Sequence, residues 1–493
     1  MNGEKVPRYE GENLRQAALA AMFWSVLQSW GGRALNLVVF VVLARLVNPT
    51  QYGIAATSFL IMNVVTIISG FGMDGALVQR PNLKREDVNL PFYGAMTISI
   101  TLSALTAIFS NSIAQLIHVK GLGPYIIGIA AICPMQTLEM FQESLYRRKL
   151  LYRPLAIRTL LGIVIGGVVG IGMALTDFGT WALLAQFGTQ TLVSVVWLWA
   201  QPAWRPSRQV RLGSAKQISG FGANLVTQRM FDVLSQRSVD IIIITIYGPT
   251  ALGLFTVSSR LYLLLLQLLQ QSISSVCLSM LSNISDDRER MRRLYQRTIS
   301  LAAMLSTPVF CCMAALAPEA TRIMFGRGWP GTDEVMVPLL LIGGVHCVQF
   351  LSGDFLLAMG KPRQLLALTI MKVVFILPAL YFIRVPGVAA TAWLYAALQL
   401  ALSPFMFRAT MRGLQMRWSE LLKAIVPSML AALIAFWVVH TVRPFIAPSI
   451  KNPYFGAIIF GSIYVLLWAI ATAILAFRNA QHNIHFLRRT KNS

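Results

Sequence analysis

The sequence predicts an all-α polytopic membrane protein with about fourteen transmembrane helices. The prediction rests on composition, on the distribution of charge and on an internal repeat. Hydrophobic residues make up 56% of the 493 residues and charged residues only 12%, which is typical of a helical membrane bundle rather than of a soluble protein. A bilayer core needs about 20 consecutive apolar residues per helix, and runs of this length recur along the whole chain.

The predicted spans, numbered in chain order, are 18–46, 53–77, 90–110, 122–144, 155–175, 180–200, 218–247, 252–281, 297–317, 335–359, 364–383, 387–407, 421–442 and 454–477. The loops between them are short, and the longest on one side of the membrane lie near 318–334 and 443–453. These have room for a turn or two of helix but not for a catalytic domain. We therefore expect no enzyme.

The chain carries no motif of a cofactor or metal site. Its five cysteines lie in apolar runs without metal-ligand or disulfide spacing. No nucleotide-binding loop, zinc-protease motif or catalytic triad pattern is present. We expect no catalytic residues, no cofactor and no metal.

The positive charge follows the predicted topology. The chain has 42 Lys and Arg against 19 Asp and Glu, a net charge of +23. Most of the basic residues fall in the two tails and the even-numbered loops, for example in the clusters 147–153 and 288–297. Because cytoplasmic loops are enriched in Lys and Arg, this pattern predicts a multi-pass protein with both termini in the cytoplasm. It also makes nucleic acid an unsuitable partner.

A short turn occurs twice, once between spans 1 and 2 and once between spans 7 and 8. The first copy is Pro49-Thr50-Gln51-Tyr52-Gly53 and the second, 200 positions later, is Pro249-Thr250-Ala251-Leu252-Gly253. Six spans separate the copies, so the repeat predicts two parallel, pseudo-symmetric six-helix lobes. Transporters are often built from such halves, with the substrate site between them.

The repeat sets the predicted domains. They are a cytoplasmic N-tail (1–17), an N-lobe of spans 1–6 (18–210), a C-lobe of spans 7–12 (211–410), the additional spans 13 and 14 (411–477) and a cytoplasmic C-tail (478–493).

Charged residues inside the spans are candidates for function, because burying a charge in a bilayer is costly. Five basic residues qualify, namely Arg33, Arg229, Arg237, Arg260 and Lys372. Span 7 carries a polar stripe with a four-residue period, Gln228, Asp232, Gln236 and Asp240, and span 1 carries Gln28 beside Arg33. Because Arg and Lys suit phosphate groups, we expect a cavity of net positive charge.

A purely structural interpretation of these charges stays open. Arg229 or Arg237 can pair with Asp232 or Asp240 on the same helix. Glu139 and Glu143 lie four residues apart near the cytoplasmic end of span 4, where pairing with arginines such as Arg147 is the simplest explanation. His346 is alone in span 10, and we expect a packed core residue there rather than a proton relay.

Four segments carry a resemblance to a known family. They are Leu43–Gly53, Gly70–Arg80, Phe178–Gln186, and Leu252–Phe255 followed by Arg260. With these segments the chain resembles the polysaccharide transporter family, the Wzx-type lipid-linked oligosaccharide flippases of the MOP/MATE-like superfamily. The resemblance covers most of the chain and is weakest after residue 410.

The resemblance implies a function. A protein of this family is expected to move undecaprenyl-diphosphate-linked oligosaccharide repeat units across the bacterial inner (cytoplasmic) membrane, for exopolysaccharide, O-antigen or capsule assembly. It would use alternating access around a cationic central cavity and an H⁺ or Na⁺ gradient, amid membrane lipids and together with a polymerase and a chain-length regulator.

Ten residues are the candidates for these roles. The substrate-binding candidates are Arg33, Arg229, Arg237, Arg260, Lys372, Gln28 and Gln228, and the ion-coupling candidates are Asp232, Asp240 and Asp74. Asp74 departs from the apolar or small residue expected in its segment, so its role is open.

Three other functions remain open from the sequence. An ion-coupled multidrug or cation antiporter of the same superfamily would be expected to have a cavity dominated by acidic and aromatic residues. A polytopic polysaccharide polymerase or ligase would need external catalytic residues, which the short loops do not supply. A scaffold that does not transport would leave the charges inside the spans unexplained.

Overall fold

The structure, a computed structural model, describes residues 14–70, 77, 83, 85–207, 237–270, 288–450 and 452–490. Within these ranges the regular elements are all helices, and 13 helical segments are long and apolar enough to cross a membrane. The predicted fold class is therefore confirmed. The count is one lower than predicted because one segment, Arg237–Gln270, covers parts of both span 7 and span 8.

The helices of the described ranges are, in chain order, α1 (Leu14–Val26), α2 (Gly32–Leu46), α3 (Pro49–Gly70), α4 (Arg85–Ile108), α5 (Ser110–Leu116), α6 (Gly123–Arg148), α7 (Tyr152–Leu175), α8 (Thr180–Ala200), α9 (Arg237–Gln270), α10 (Arg288–Ala315), α11 (Ala317–Phe325), α12 (Thr332–Ala358), α13 (Pro362–Phe382), α14 (Gly387–Leu414), α15 (Trp418–Ile446) and α16 (Pro453–Thr490). Helices α3, α13 and α16 each begin with proline, where the missing N–H costs no helical hydrogen bond.

The first span contains a local change of winding that the sequence did not predict. Helices α1 and α2 are joined by a π-helical turn, Leu27–Gly31, so the span continues from Leu19 to Leu46. The turn lies against α7, where a Cβ on Gly31 would come within 3.3 Å of the Leu160 side chain. Such π-bulges are frequently found at functional sites.

Helix α9 is a pair of helices rather than one straight rod. A continuous helix of 34 residues would be about 51 Å long, well beyond the roughly 30 Å of a bilayer core. Gly248 has a φ of +80°, which a right-handed helix cannot accommodate. The chain therefore turns at Gly248, directly before Pro249, the first residue of the turn predicted between spans 7 and 8.

Packing divides the chain into two compact units, Met1–Gly253 (unit 1) and Leu254–Ser493 (unit 2). The division falls within α9, directly after the second Pro-Thr turn. The predicted boundary between lobes at 210/211 lies outside the described residues, so the predicted lobes remain a prediction.

Unit 1 is held together by close contact between α7 and α8. A Cβ on Gly166 would lie 2.5 Å from the Gln186 carbonyl oxygen, and a Cβ on Gly170 would lie 2.5 Å from the Gln186 Cβ. Only glycine permits this separation, because small residues let membrane helices approach closely. Because α7 packs so closely on α8, the face of α7 that contacts α1 and α2 is fixed in position.

Unit 2 includes the two spans that the internal repeat leaves over. Helix α15 is tied to α10 near its start, where Arg292 Nη2 donates to Glu420 Oε1 at 2.5 Å. Near its end Arg443 Nη2 donates to Glu319 Oε2 of α11 at 2.6 Å, and the Arg443 guanidinium lies 4.7 Å from the ring centroid of Phe460 on α16. Helices α15 and α16 are therefore anchored parts of unit 2.

Candidate functional site

A polar cavity of about 440 Å³ lies in unit 1, beside the π-helical turn. Its lining comes from α1, α2, the turn itself, the end of α6 and the start of α7, and consists of Ser25, Gln28, Ser29, Gly32, Arg33, Asn36, Arg147, Tyr152 and Thr159. Hydroxyl and amide groups dominate this lining, and its charged members are two arginines. A polar cavity of this kind can bind an anion together with neutral hydroxyl-bearing groups.

The lining residues of the first span share one helix face. They recur at intervals of three and four residues on either side of the π-helical turn, which places them in one row along the helix. Gln28 Nε2 donates to Thr159 Oγ1 of α7 at 3.1 Å. A Cβ on Gly32 would lie 3.6 Å from the Thr159 side chain. The first span therefore packs closely on α7 and presents Arg33 to the cavity.

An ion-pair cluster borders the cavity. Arg158, whose side chain is 4% exposed, donates through Nη1 to Glu139 Oε1 and through Nη2 to Glu143 Oε2, the latter at 2.7 Å. Arg147 Nη2 donates to Glu143 Oε1 at 2.5 Å. Two guanidinium and two carboxylate groups balance each other here. The expected pairing of the carboxylates with arginines such as Arg147 is thus confirmed for Glu143.

Arg158 was missed from the sequence because it lies near the edge of a predicted span. The available indication was Glu139 and Glu143 on one face of span 4: two carboxylates four residues apart in a membrane helix need a buried cation. Arg147 belongs both to this cluster and to the cavity lining. Glu143 therefore partly offsets the positive charge of Arg147. The second positively charged residue of the cavity lining is Arg33.

The candidates of span 7 are described only in part. Arg237 Nη1 donates to Asp240 Oδ2 at 3.2 Å, three residues along the same helix. This is one of the pairings that the structural interpretation expects, and the roles of Arg237 in substrate binding and of Asp240 in ion coupling stay predictions. Neither residue lines the cavity of unit 1. The candidates Gln228, Arg229 and Asp232, and also Asp74, lie outside the described residues.

The two basic candidates of unit 2 have different surroundings. Arg260 is exposed on α9. Lys372 of α13 is partly buried, and its Nζ donates to Gln349 Oε1 of α12 at 2.9 Å. Lys372 therefore belongs to a hydrogen-bond network inside the unit.

This network joins α12, α13 and α14. Gln349 Nε2 donates to Ser403 Oγ, and Ser403 Oγ donates to the Gln399 carbonyl at 2.8 Å. Gln399 Nε2 in turn donates to Tyr395 OH at 2.9 Å. His346 Nδ1 lies 2.6 Å from Tyr262 OH. His346 of α12 therefore shares a hydrogen bond with α9, a contact that the expectation of a packed core residue did not include.

The two Pro-Thr turns contact each other. Thr50 Oγ1 and Thr250 Oγ1 are 2.8 Å apart and share a hydrogen bond. A Cβ on Gly53 would overlap the Pro249 carbonyl oxygen, and a Cβ on Gly253 would overlap that of Pro49. The repeat seen in the sequence is thus a reciprocal crossing of two helix starts, and both glycines are required by the close approach.

Comparison with known proteins identifies relatives in polysaccharide assembly. The sequence model of a family described as "Polysaccharide biosynthesis protein" matches residues 42–333. The succinoglycan biosynthesis transport protein ExoT of Rhizobium meliloti (strain 1021) is 24% identical over 322 residues, 65% of this chain. The chain thus spans 65% of the length of that relative. The lipopolysaccharide biosynthesis protein WzxC of Escherichia coli (strain K12) is 20% identical over 75% of each chain.

Two solved structures have a similar fold. The lipid II flippase MurJ, in an inward closed conformation, aligns with a TM-score of 0.73 at 14% identity, over 93% of this chain and 99% of that one. An inward-facing multidrug resistance MATE family transporter of the MOP superfamily aligns with a TM-score of 0.54 at 15% identity, over 78% and 94% of the two chains. At these identities the similarity establishes the fold alone.

Proposed function

Because this chain belongs to the polysaccharide biosynthesis protein family, we propose that it is a Wzx-type flippase of the MOP superfamily. Its cargo is an undecaprenyl-diphosphate-linked oligosaccharide repeat unit, which it moves across the bacterial inner membrane for exopolysaccharide, O-antigen or capsule assembly. The curated relatives with transport or lipopolysaccharide roles support this proposal. The process needs no covalent chemistry, only binding and a change of access.

The polar cavity of unit 1 is the observation that carries the proposal. A membrane-helix bundle excludes polar groups unless they have a function or a partner, yet this cavity is lined by hydroxyls, amides and two arginines. The described lining contains no carboxylate, so its fixed charges favour an anion. A diphosphate joined to sugars presents both an anion and many hydroxyl groups, which matches the two kinds of lining group.

The residues of the cavity have distinct roles in this proposal. Arg33 contacts the diphosphate, since a guanidinium can donate two parallel hydrogen bonds to phosphate oxygens. Gln28 and Asn36 donate to and accept from the sugar hydroxyls. The polyprenyl chain stays in the lipid, where its transfer from one leaflet to the other costs little because it remains among apolar chains.

Orientation follows from the charge distribution. With Lys and Arg concentrated in the tails and even-numbered loops, both termini lie in the cytoplasm, and the Pro-Thr turns lie on the external side. The cargo then enters from the cytoplasmic leaflet and leaves toward a polymerase and a chain-length regulator. An ion gradient supplies the direction of transport.

The crossing of the Pro-Thr turns supports alternating access. In this conformation Thr50 and Thr250 are hydrogen-bonded, and Gly53 and Gly253 lie against the opposite backbone. Two helix starts in such contact leave no room for a headgroup to pass between them. We propose that this crossing separates when the cargo is released outward.

Substitution of Arg33 tests the proposed cargo site. The assay reconstitutes purified protein in liposomes and follows a fluorescent undecaprenyl-diphosphate-linked hexose, whose outer-leaflet fraction is quenched by dithionite. Arg33→Ala is expected to raise the half-saturating cargo concentration about 10–100-fold, because a charged hydrogen bond contributes about 1.5–3 kcal/mol. Arg45→Ala on the same helix, outside the cavity lining, is the matched control.

Two outcomes of that assay would contradict the proposal. One is wild-type protein that does not flip the labelled lipid. The other is an Arg33→Ala variant that flips it with unchanged concentration dependence. If the wild type instead moves cationic dyes but not the lipid, the multidrug antiporter becomes the better assignment, as the shared fold allows.

A reversible cross-link tests the crossing. In Thr50→Cys/Thr250→Cys protein, oxidation is expected to join the two turns and stop flipping, and a reductant is expected to restore it. The Thr50→Cys single variant under the same oxidant is the control. Full-speed flipping by the cross-linked protein would show that the crossing does not open.

A further inference from the structure

One end of unit 2 carries four basic side chains on two neighbouring helices. They are Lys361 directly before α13, Arg363 in the first turn of α13, and Arg408 and Arg412 near the end of α14. The two helices pack on each other. Only the short connection 383–386 joins them, so they run in opposite directions and their basic ends lie side by side. We call these four residues the basic cluster.

The Lys361 ammonium group reaches α14. A Cβ on Gly413 would lie 3.2 Å from Lys361 Nζ and 2.7 Å from Met359 Sδ, so the turn before α13 lies directly against the last turns of α14. Gly413 follows Arg412, and Arg408 is one helical turn earlier on the same face as Arg412. The three arginines of the cluster are exposed and Lys361 is half-buried. The four positive charges therefore lie together at the end of one helix pair.

The charge of the basic cluster is not balanced by any carboxylate of the described residues. Among those residues no member of the cluster forms an ion pair. Two carboxylates of unit 2 are engaged on α10 instead, since Glu420 pairs with Arg292 and Glu289 lies 3.7 Å from Arg293. Like charges one turn apart on a helix repel each other. The cluster is therefore a surface on which an anion relieves repulsion.

Exposed apolar side chains adjoin the basic cluster on both helices. On α13 Leu366 and Ile370 follow Arg363 by three and seven residues, and on α14 Phe405 precedes Arg408 by three. Each apolar side chain therefore lies on the same helix face as its arginine. The exposed fractions of Leu366, Ile370 and Phe405 are 46%, 39% and 51%. The helix pair thus presents positive charge at its end and apolar surface toward the middle of the spans.

We propose that this surface binds an anionic phospholipid of the surrounding membrane. The phosphate diester lies on the basic cluster, and the acyl chains lie along Leu366, Ile370 and Phe405. Basic groups between membrane helices suit phosphate-bearing headgroups, and guanidinium groups match phosphate oxygens. A small soluble anion would gain nothing from the apolar side chains, whereas a phospholipid carries an anion and apolar chains in the same order as the surface. The inference concerns unit 2 alone and does not depend on the proposed function.

The bound lipid links α13 to α14. Only 11% of the apolar stretch of α13 is buried inside the protein, so this helix has few contacts that hold it in place. A headgroup bonded to Lys361 or Arg363 on one side and to Arg408 or Arg412 on the other joins the two helices and lowers the repulsion between their charges. Because a ligand of the folded state raises its stability, anionic phospholipid is expected to raise the melting temperature of the protein.

The experiment titrates the full chain, in a neutral detergent, with phosphatidylglycerol or with phosphatidylcholine and follows bound lipid by native mass spectrometry. The wild type is expected to bind its first phosphatidylglycerol at least about tenfold more tightly than phosphatidylcholine. Arg408→Gln/Arg412→Gln is expected to weaken this binding about 25-fold, since each cation near an anionic headgroup contributes about fivefold.

A double variant on α10 is the matched control. Arg293 and Arg297 are also exposed and one turn apart, and they lie at the same end of unit 2, because the start of α10 packs with the end of α14 in one core cluster. Arg293→Gln/Arg297→Gln removes the same amount of charge and is expected to bind phosphatidylglycerol as the wild type does.

Arg363→Gln provides a second variant in case the α14 double variant does not fold. It removes one exposed charge from the other helix and is expected to weaken phosphatidylglycerol binding about fivefold. Thermal unfolding is the second readout. Phosphatidylglycerol is expected to raise the melting temperature of the wild type and of the α10 control, and to raise that of the cluster variants less.

Four results would overturn the proposal. The two phospholipids bind equally well to the wild type, or the α10 control loses as much affinity as Arg408→Gln/Arg412→Gln, which would mean that only the overall surface charge matters. Glycerophosphoglycerol, the headgroup without acyl chains, displaces the lipid at equal concentration, which would show that the apolar side chains contribute nothing. Undecaprenyl diphosphate displaces it at equal concentration, which would assign the surface to the cargo.

Discussion

Unit 1 surrounds the buried guanidinium of Arg158 with the carboxylates of Glu139 and Glu143, whereas unit 2 surrounds Lys372 with an amide and, beyond it, a hydroxyl. In the first case charge is balanced, and removing any one member leaves an uncompensated charge in a low-dielectric interior. In the second case no carboxylate of the described residues pairs with the charge, so losing a proton there costs much less. The comparison shows that a charge inside a span can serve structure or function according to its partners.

Replacement of Arg158 is the strongest test of the balanced cluster. Arg158→Met leaves Glu139 and Glu143 facing each other without their shared partner, and we expect a loss of about 3–5 kcal/mol. The measurement is thermal unfolding of the purified protein in detergent, together with its abundance in the membrane. In the triple variant Arg158→Met/Glu139→Gln/Glu143→Gln most of the loss is expected to disappear. Equal instability of the single and triple variants would contradict a charge-based explanation.

Replacement of Lys372 by methionine is the matching test in unit 2. Because no carboxylate of the described ranges pairs with Lys372, the expected loss is about 1–2 kcal/mol, mainly from the unsatisfied oxygen of Gln349. The same unfolding measurement applies. A loss of stability as large as that of Arg158→Met would mean that Lys372 is a structural ion-pair partner. That result would contradict the difference between the two units.

Glu143 links the balanced cluster to the cavity through Arg147. In Glu143→Gln the Arg147 charge is no longer offset by Glu143, so the cavity becomes more positive. We expect the half-saturating concentration of the labelled lipid to fall about two- to fivefold, the size of a weak, partly exposed ion pair of about 0.5–1 kcal/mol. A rise in that concentration would show that Arg147 must be held by Glu143 to bind cargo.

A solvent-exposed ion pair on α10 is expected to have the smallest effect on stability. Arg293 Nη1 and Glu289 Oε1 are 3.7 Å apart, with side chains 60% and 76% exposed. Arg293→Ala is expected to change stability by at most about 0.5 kcal/mol, since solvent screens such pairs. A larger change in the melting temperature than for Lys372→Met would contradict the ranking of the sites by burial.

The sequence predicted the helical fold because each apolar run of about 20 residues has one stable form in a bilayer. It also located the reciprocal turns, since Pro49 and Pro249 with Gly53 and Gly253 mark helix starts and close approach. The π-helical turn at Leu27–Gly31 could not be predicted, because winding of that kind depends on packing against α7.

Two of the substrate-binding candidates, Arg33 and Gln28, line one cavity, and the roles predicted for them stay predictions. Hydrogen-bond partners on other helices cannot be derived from spacing, so the links of Arg158 to Glu139 and of His346 to Tyr262 were missed. For the same reason the sequence alone did not separate Lys372, which lies inside the network of unit 2, from Arg33.

Binding of undecaprenyl diphosphate by the purified protein tests directly whether Arg33 in the cavity of unit 1 contacts the diphosphate. Native mass spectrometry can compare undecaprenyl diphosphate with undecaprenyl monophosphate, in the wild type and in Arg33→Ala. The wild type is expected to prefer the diphosphate by about tenfold, the effect of one charged hydrogen bond, and Arg33→Ala is expected to remove this preference. A wild type without preference, or an Arg33→Ala variant that keeps it, would show that Arg33 does not contact the diphosphate.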